Sequence, residues 1–338
     1  MNSVYPRFQQ TRVAARLLIL CLLLLLSACQ TPPQTQQLFT NPPAIAKQHQ
    51  IAQVPFYPQQ DFFCGPTTLA EVANFYGLNT TPDIIAPNTF TPGLQGTLQI
   101  EMAAATRQLG LVAYEQRGTL SQLLSLIAED IPIIVLQNNS ISWLPQWHYA
   151  VVIGYDLVTQ EVILHTGVTP EHRLNIATFE RTWQRGNYWM LAMLPSSQAS
   201  KHLEPFLYTK ACQDLLNTQQ ITAGIAALTT ATQQWPDYWL PYFLLANHYL
   251  TTEPLLAAHW FAQGWDVAQH EIAYLNNYAV LLSQLACHQS ASALLQRALQ
   301  LAPDNSTLLS SQQRITTAQA SAAPTATSCA LSLPFAPE

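Results

Sequence analysis

Between Glu204 and Asn305 one pattern returns at a near-constant interval, and no other feature of the 338 residues limits the fold as tightly. Acidic residues open successive blocks at Glu204, Asp237, Glu271 and Asp304, at spacings of 33, 34 and 33 residues. Small side chains recur in phase, with Cys212, Ala246 and Ala279 early in each block and Gly224, Ala258 and Ala291 later. Two helices approach closely only where the side chains between them are small, so each block reads as a helical hairpin. A hairpin of that size cannot bury its apolar face alone and must stack on its neighbour. Ala231 and Ala298 keep the phase, Trp265 interrupts it, and Pro236 and Pro303 end blocks. The pattern predicts an all-α solenoid over 202–320, its last block from Asp304 to about Ala320 serving as a capping helix. The remainder, 321–338, holds Pro324, Pro334 and Pro337 and reads as a disordered tail.

The other end of the chain is a different material. Arg7, Arg12 and Arg16 precede the apolar run Leu17 to Leu26, an order that marks 1–28 as a secretory signal. The run is shorter than the ~20 residues a membrane-spanning helix needs. Residues 29–50, rich in Gln, Pro and Thr without periodicity, predict a flexible tether. Across the whole chain only 9% of residues are charged and the net charge is −6, which offers no basic field for nucleic acid.

Residues 51–196 read as an α+β domain. A strand-like Ile51–Tyr57 is followed by helices over Gly65–Tyr76, Leu98–Leu109 and Leu120–Ala128. Strands are expected over Pro132–Leu136, Tyr149–Tyr155 and Glu161–Leu164. Cys64 stands immediately before the first helix, and Pro66 suits its first turn. Unpaired amides and the positive end of the helix dipole there favour the thiolate, so a nucleophile with a lowered pKa is expected. A thiolate attacking an amide needs a base and oxyanion donors. His148 opens a strand after Trp143, Pro145 and Trp147, and Gln59 and Gln60 lie five and four residues before the cysteine. Glu101, Asp156 and Glu180 are isolated carboxylates without the paired arrangement of glycosidases. His148, His165 and His172 match no familiar zinc spacing, and neither a metal nor a cofactor is expected.

The blocks Gln59 to Thr68 and Trp147 to Asp156 resemble the bacteriocin-processing, double-glycine leader peptidases of the papain clan, over roughly Ile51 to Pro195. The resemblance implies a papain-like cysteine peptidase fold, with Cys64 as nucleophile, His148 as general base and acid, and Gln59 as oxyanion donor, with Gln60 as the alternative. Members of that family usually carry an Asp after the next strand to orient the imidazole. Here the strand reads Val162-Ile163-Leu164-His165-Thr166-Gly167, leaving Thr166 or His165 for that role, or a Cys-His dyad. The 33–34-residue period is that of tetratricopeptide (TPR) repeats, and Leu26-Ser27-Ala28-Cys29 resembles a bacterial lipobox with Cys29 as the lipidated residue. Together they resemble a lipoprotein subgroup of these peptidases, anchored to the outer membrane and facing the periplasm. The expected partners are a peptide or protein substrate, a protein on the TPR groove, and the membrane through the lipid. The rival reading is a catalytically inactive adaptor that presents the same cleft.

Cysteine arithmetic adds one expectation. Cys212 falls in the small-residue phase and should be buried and inert. Cys287, at a turn between paired helices, and Cys329, in the tail, are left to form a disulfide.

Overall fold

The computed structural model describes residues 31–90, 96–141 and 143–321, together with Cys329 and Pro334. The secretory signal, Cys29 and nearly all of the predicted tail lie outside the described residues.

The predicted tether is ordered over its described part. Helix α1 (Pro33–Thr40) buries Thr35 and Leu38. Its free N-terminal amides meet the Glu180 carboxylate, which accepts from the Gln34 and Thr35 amides at 2.9 and 2.5 Å and from the Thr35 hydroxyl at 2.6 Å. An anion at a helix N-terminus satisfies orphan donors and complements the dipole. Gln34 also accepts from the Leu120 amide at 2.7 Å. Composition could not reveal this clamp, because its partners lie more than 80 residues away.

Strand β1 (Gln48–Gln50) follows, and Ile51–Tyr57, expected as a strand, is instead an irregular strap. Gln53 takes φ +65°, which turns the chain away after the single Ile51-to-Ile153 backbone bond. Then come α2 (Cys64–Phe75), the short α3 (Pro82–Ile85), α4 (Gln99–Gln108), β2 (Val112–Arg117) and α5 (Leu120–Ile127). The remainder of the domain is β3 (Ile133–Asn138), β4 (Trp147–Asp156), β5 (Glu161–Thr166), β6 (Thr169–Asn175), α6 (Ile176–Arg185) and β7 (Trp189–Leu194). The three expected helices and three expected strands are present within one or two residues. The sequence reading missed α3, β2, β6, α6 and β7. In α6 the buried positions Ile176, Phe179, Glu180 and Trp183 follow helical spacing, and the carboxylate at an apolar position hid the pattern.

All strand pairings are antiparallel, in the order β2-β7-β3-β4-β5-β6. β4 is the axis of the sheet. One side of it is paired by β3 along Trp147–Val152 and then by β1 along Gly154–Asp156, the other by β5. Helix α2 packs on β4 and buries Gly65 through Ala73, which brings its N-terminal turn to the start of that strand.

Among the described residues, the C-terminal region holds three helical hairpins and a last helix. The pairs are α7 (Pro205–Asn217) with α8 (Ile221–Gln234), α9 (Leu240–Tyr249) with α10 (Pro254–Gln263), and α12 (Ile272–Gln284) with α13 (His288–Leu301). α14 (Ser306–Ser321) closes the series. The phased small residues Cys212, Gly224, Ala246, Ala258, Ala279 and Ala291 are all buried at these crossings. The break in phase is structural: α10 stops before Gly264, and the buried Trp265 begins the separate turn α11 (Trp265–Ala268).

The first hairpin is not an independent unit. α7 lies against β2, and Tyr208, Cys212, Leu215 and Leu228 belong to the same apolar core as the sheet. The stretch 196–201, which reads as a linker, is fastened by hydrogen bonds from the Tyr208 hydroxyl to Gln198 O (2.9 Å) and from the Thr230 hydroxyl to Ser196 O (2.7 Å). The Glu204 amide also donates to the Tyr114 hydroxyl at 3.0 Å. A second core begins at Ala246 and runs to Ile315.

Cys287 and Cys329 form a disulfide, and Cys212 is a free, fully buried thiol. Cys287 is itself buried rather than solvent-facing, so Cys329 is drawn to the edge of the second core. The bridge spans 42 residues, and its removal by Cys329→Ser is expected to destabilise the last hairpin and α14 by about 2–4 kcal/mol. Urea unfolding followed by hydrogen exchange in residues 288–321 checks this. Unchanged protection in the variant would count against the bridge as a brace.

Candidate active site

Cys64 is the first residue of α2, so its side chain sits on the turn with unpaired amides. The loop carrying Thr97 closes over that turn, and Gly65 permits the approach: a Cβ there would stand 2.5 Å from Thr97 Oγ1. Backbone hydrogen bonds involving Tyr149, Gly65 and Cys64 itself act on the thiol and pull its pKa down. Burial acts more strongly and pushes it above the ordinary value. The expected depressed pKa is therefore not what the resting site has, because packing α2 on β4 removes the water that would solvate a thiolate.

His148 is the second residue of β4 and is half-buried. Its Nε2 lies 2.8 Å from Thr166 Oγ1. Burial pushes its pKa down, and a hydroxyl supplies none of the charge with which a carboxylate would hold the imidazolium. Both groups are thus biased to their neutral forms. Attack on a carbonyl from this state requires proton transfer from Sγ to the ring as the bond forms.

Strand register decides between the two candidates for orienting His148. Val151 lies opposite His165, so alternation places Thr166 on the same sheet face as His148, diagonally across the pair, and His165 on the other face. His165 uses both ring nitrogens elsewhere, Nε2 to Val54 O at 3.0 Å and Nδ1 as acceptor from the Glu171 amide at 3.2 Å. It holds the strap and does not meet His148.

The strap delivers Gln59. Its amide N–H donates to Gly167 O at 2.9 Å, and its Nε2 reaches Tyr149 O at 3.5 Å, next to the backbone that touches Cys64. The alternative donor, Gln60, lines the same cleft but is solvent-exposed, and its carbonyl accepts from the Phe63 amide. Gln59, Cys64 and His148 all border one cleft of about 800 Å³, which Leu136, Trp147 and Arg185 also line. That size suits several residues of an extended peptide. Arg185 escaped the sequence reading because α6 itself did.

Comparison with known proteins covers the part of the chain that holds these residues. Residues 51–188 match the Peptidase_C39 like family. The match spans Gln59, Cys64, His148 and Thr166, and leaves β7 and the helical region outside. Among solved structures, a protein from Bacillus anthracis described as a C39-like peptidase is 15% identical, with TM-score 0.38, over 46% of this chain and 99% of that one. The peptidase domain of Streptococcus ComA, a bifunctional ABC transporter involved in a quorum-sensing pathway, is 24% identical, with TM-score 0.36, over 42% of this chain and 99% of that one. The first TPR of Spaghetti (RPAP3), bound to an HSP90 peptide, is 14% identical, with TM-score 0.32, over 35% of this chain and 94% of that one. No curated protein matches the chain.

Proposed function

We propose that the chain is an envelope-anchored cysteine peptidase that cleaves a peptide bond in a polypeptide recruited partly by its helical array. The observation that carries this is the meeting of Cys64, at a helix N-terminus, with His148 and Gln59 around one peptide-sized cleft. In this reading His148 takes the Sγ proton as Cys64 attacks the scissile carbonyl, and the Gln59 amide receives the developing oxyanion. His148 then returns the proton to the leaving nitrogen, and water, activated by the same ring, releases the acid from the thioester. The three hairpins with α14 are read as a TPR array with a capping helix, whose groove holds a protein partner. Anchoring is assigned to a lipidated Cys29 on the outer membrane, facing the periplasm. With α1 starting at Pro33, only three residues separate that cysteine from the helix, a reach of about 14 Å. The catalytic domain then works at the membrane surface rather than on a long leash.

Alkylation tests the nucleophile. With iodoacetamide at pH 7, Cys64 of the wild type is expected to react faster than Cys64 of His148→Ala, which is expected to need a pH above the ordinary thiol range. That order follows from a thiol whose own pKa is raised and which relies on the ring for proton removal. An unreactive Cys64 in the wild type favours the adaptor reading, for which the hydroxyl of Thr166 as the partner of His148 is the supporting observation.

Thr166 offers a second test. Thr166→Val is expected to lower turnover about tenfold by freeing the ring. Thr166→Asp places an anion beside His148, which raises the imidazole pKa and moves the acid limb of the pH–rate profile upward. A limb that stays in place would remove Thr166 from the orienting role.

A further inference from the structure

What the cleft selects can be read from its charges, on the assumption that the peptidase reading holds. Among the described lining residues Arg185 is the one permanent cation and Asp61 the one carboxylate. Arg185 ends α6, and its Nε donates to Asn138 O at 3.0 Å. Asn138 is the register partner of Trp147, the residue before His148, so this bond fixes the guanidinium at the histidine end of the cleft.

The helix end that carries Arg185 has no slack. A Cβ on Gly186 would stand 2.0 Å from the Leu136 carbonyl oxygen, so this turn is pressed onto β3. Asn187 and Tyr188 follow with φ +60° and +55°, a left-handed pair that side chains other than glycine adopt at a cost. They are held there by backbone bonds to Gln184 O and Trp183 O at 2.9 and 3.0 Å. The turn and the Nε bond together hold the cation on the cleft wall. The bond through Nε does not use either terminal nitrogen, and that planar fork matches a carboxylate.

We infer that Arg185 is a specificity determinant that takes a carboxylate of the polypeptide substrate near the scissile bond. The carboxylate belongs either to an Asp or Glu side chain or to a chain terminus. The net charge of −6 would by itself repel such a substrate, so selection for an anion in the cleft is a local effect that the bulk field opposes.

The test needs no known substrate, because Cys64 can report the field it sits in. The intact protein is alkylated with matched acid and amide reagents, and Cys64 modification is read by peptide mapping. One pair, N-iodoacetylglycine and its amide, mimics a chain terminus. The other, N-iodoacetyl-glutamic α-amide and its glutamine counterpart, mimics a side chain. Each acid-to-amide rate ratio is divided by the ratio for N-acetylcysteine. At least one normalised ratio is expected to exceed unity several-fold, to fall toward unity with added salt and in Arg185→Gln, and to be only partly retained in Arg185→Lys. The pair that responds names the source of the carboxylate. Ratios at or below unity for both pairs in the wild type overturn the inference whether or not any variant folds, and so does a ratio that Arg185→Gln leaves unchanged. A Cys64 that no reagent alkylates defeats the peptidase reading itself, and this inference falls with it.

Discussion

Cys64→Ala and His148→Ala are each expected to lower peptide cleavage by about 10⁴-fold or more while the protein stays folded. Cys64 is only partly buried at the edge of the core, whose fully buried contacts on α2 are made by Leu69, Val72 and Ala73. His148 is only half-buried, and its side-chain partner among the described residues is Thr166. Removing either group therefore takes away the nucleophile or its proton carrier without opening a large cavity. Gln59→Ala should cost less, about 10²- to 10³-fold, because one oxyanion donor is lost and the backbone amides at the start of α2 remain. Cleavage of a quenched peptide library, with unfolding curves for each variant, checks all three. Full activity in Cys64→Ala would exclude the assigned nucleophile.

The largest expected effect on stability comes from a residue outside the reacting atoms. Glu71 lies two turns along α2 from Cys64 and is fully buried. Its Oε1 accepts from the Tyr57 amide at 3.0 Å, which pins the strap that carries Gln59, while Oε2 has no partner among the described residues. Burial pushes its pKa from 4.5 up to about 8, against the opposing pull of the Tyr57 amide. The folded state therefore holds a proton that the unfolded chain releases above about pH 4.5, so stability falls as pH rises from there and levels off above about 8. Each pH unit of displacement corresponds to about 1.4 kcal/mol, which makes the loss a few kcal/mol in all. Glu71→Gln keeps an acceptor for Tyr57 and cannot ionise. It is expected to match the wild type at pH 4.5 and to exceed it by a widening margin up to pH 8. His148 and His165, both pushed down by burial, act in the opposite sense and weaken the fold as pH falls below about 6.5 in both proteins. Urea midpoints from pH 4.5 to 9 measure the difference, and parallel curves would show that Glu71 does not titrate as described.

The division between what the chain reveals and what it conceals follows the range of the interactions. Local signals were legible in residues a few positions apart. The start of α2 at Cys64 follows from the Cys-Gly-Pro turn and the spacing of Leu69, Val72 and Ala73. The hairpins of the C-terminal region follow from small residues returning every 33 or 34 positions, and Trp265 marked in advance where the middle hairpin breaks. The nearness of Gln59 to Cys64 was legible in their five-residue spacing, whereas the distant His148 was tied to them chiefly through resemblance.

Tertiary structure decided the rest. Glu180, isolated in sequence, turned a Gln- and Pro-rich stretch into α1 by capping it from 145 residues away. The choice of Thr166 over its neighbour His165 depended on the pairing of β4 with β5, where one step of register exchanges the two faces of a strand. The direction of the Cys64 pKa was set by how much water α2 excludes when it packs on β4, not by the dipole at its own end. Sequence by itself determined the elements whose stabilising contacts lie within one or two helical turns. Caps supplied from afar, strand faces and desolvation depend on which distant segments meet, and those are settled only when the chain closes on itself.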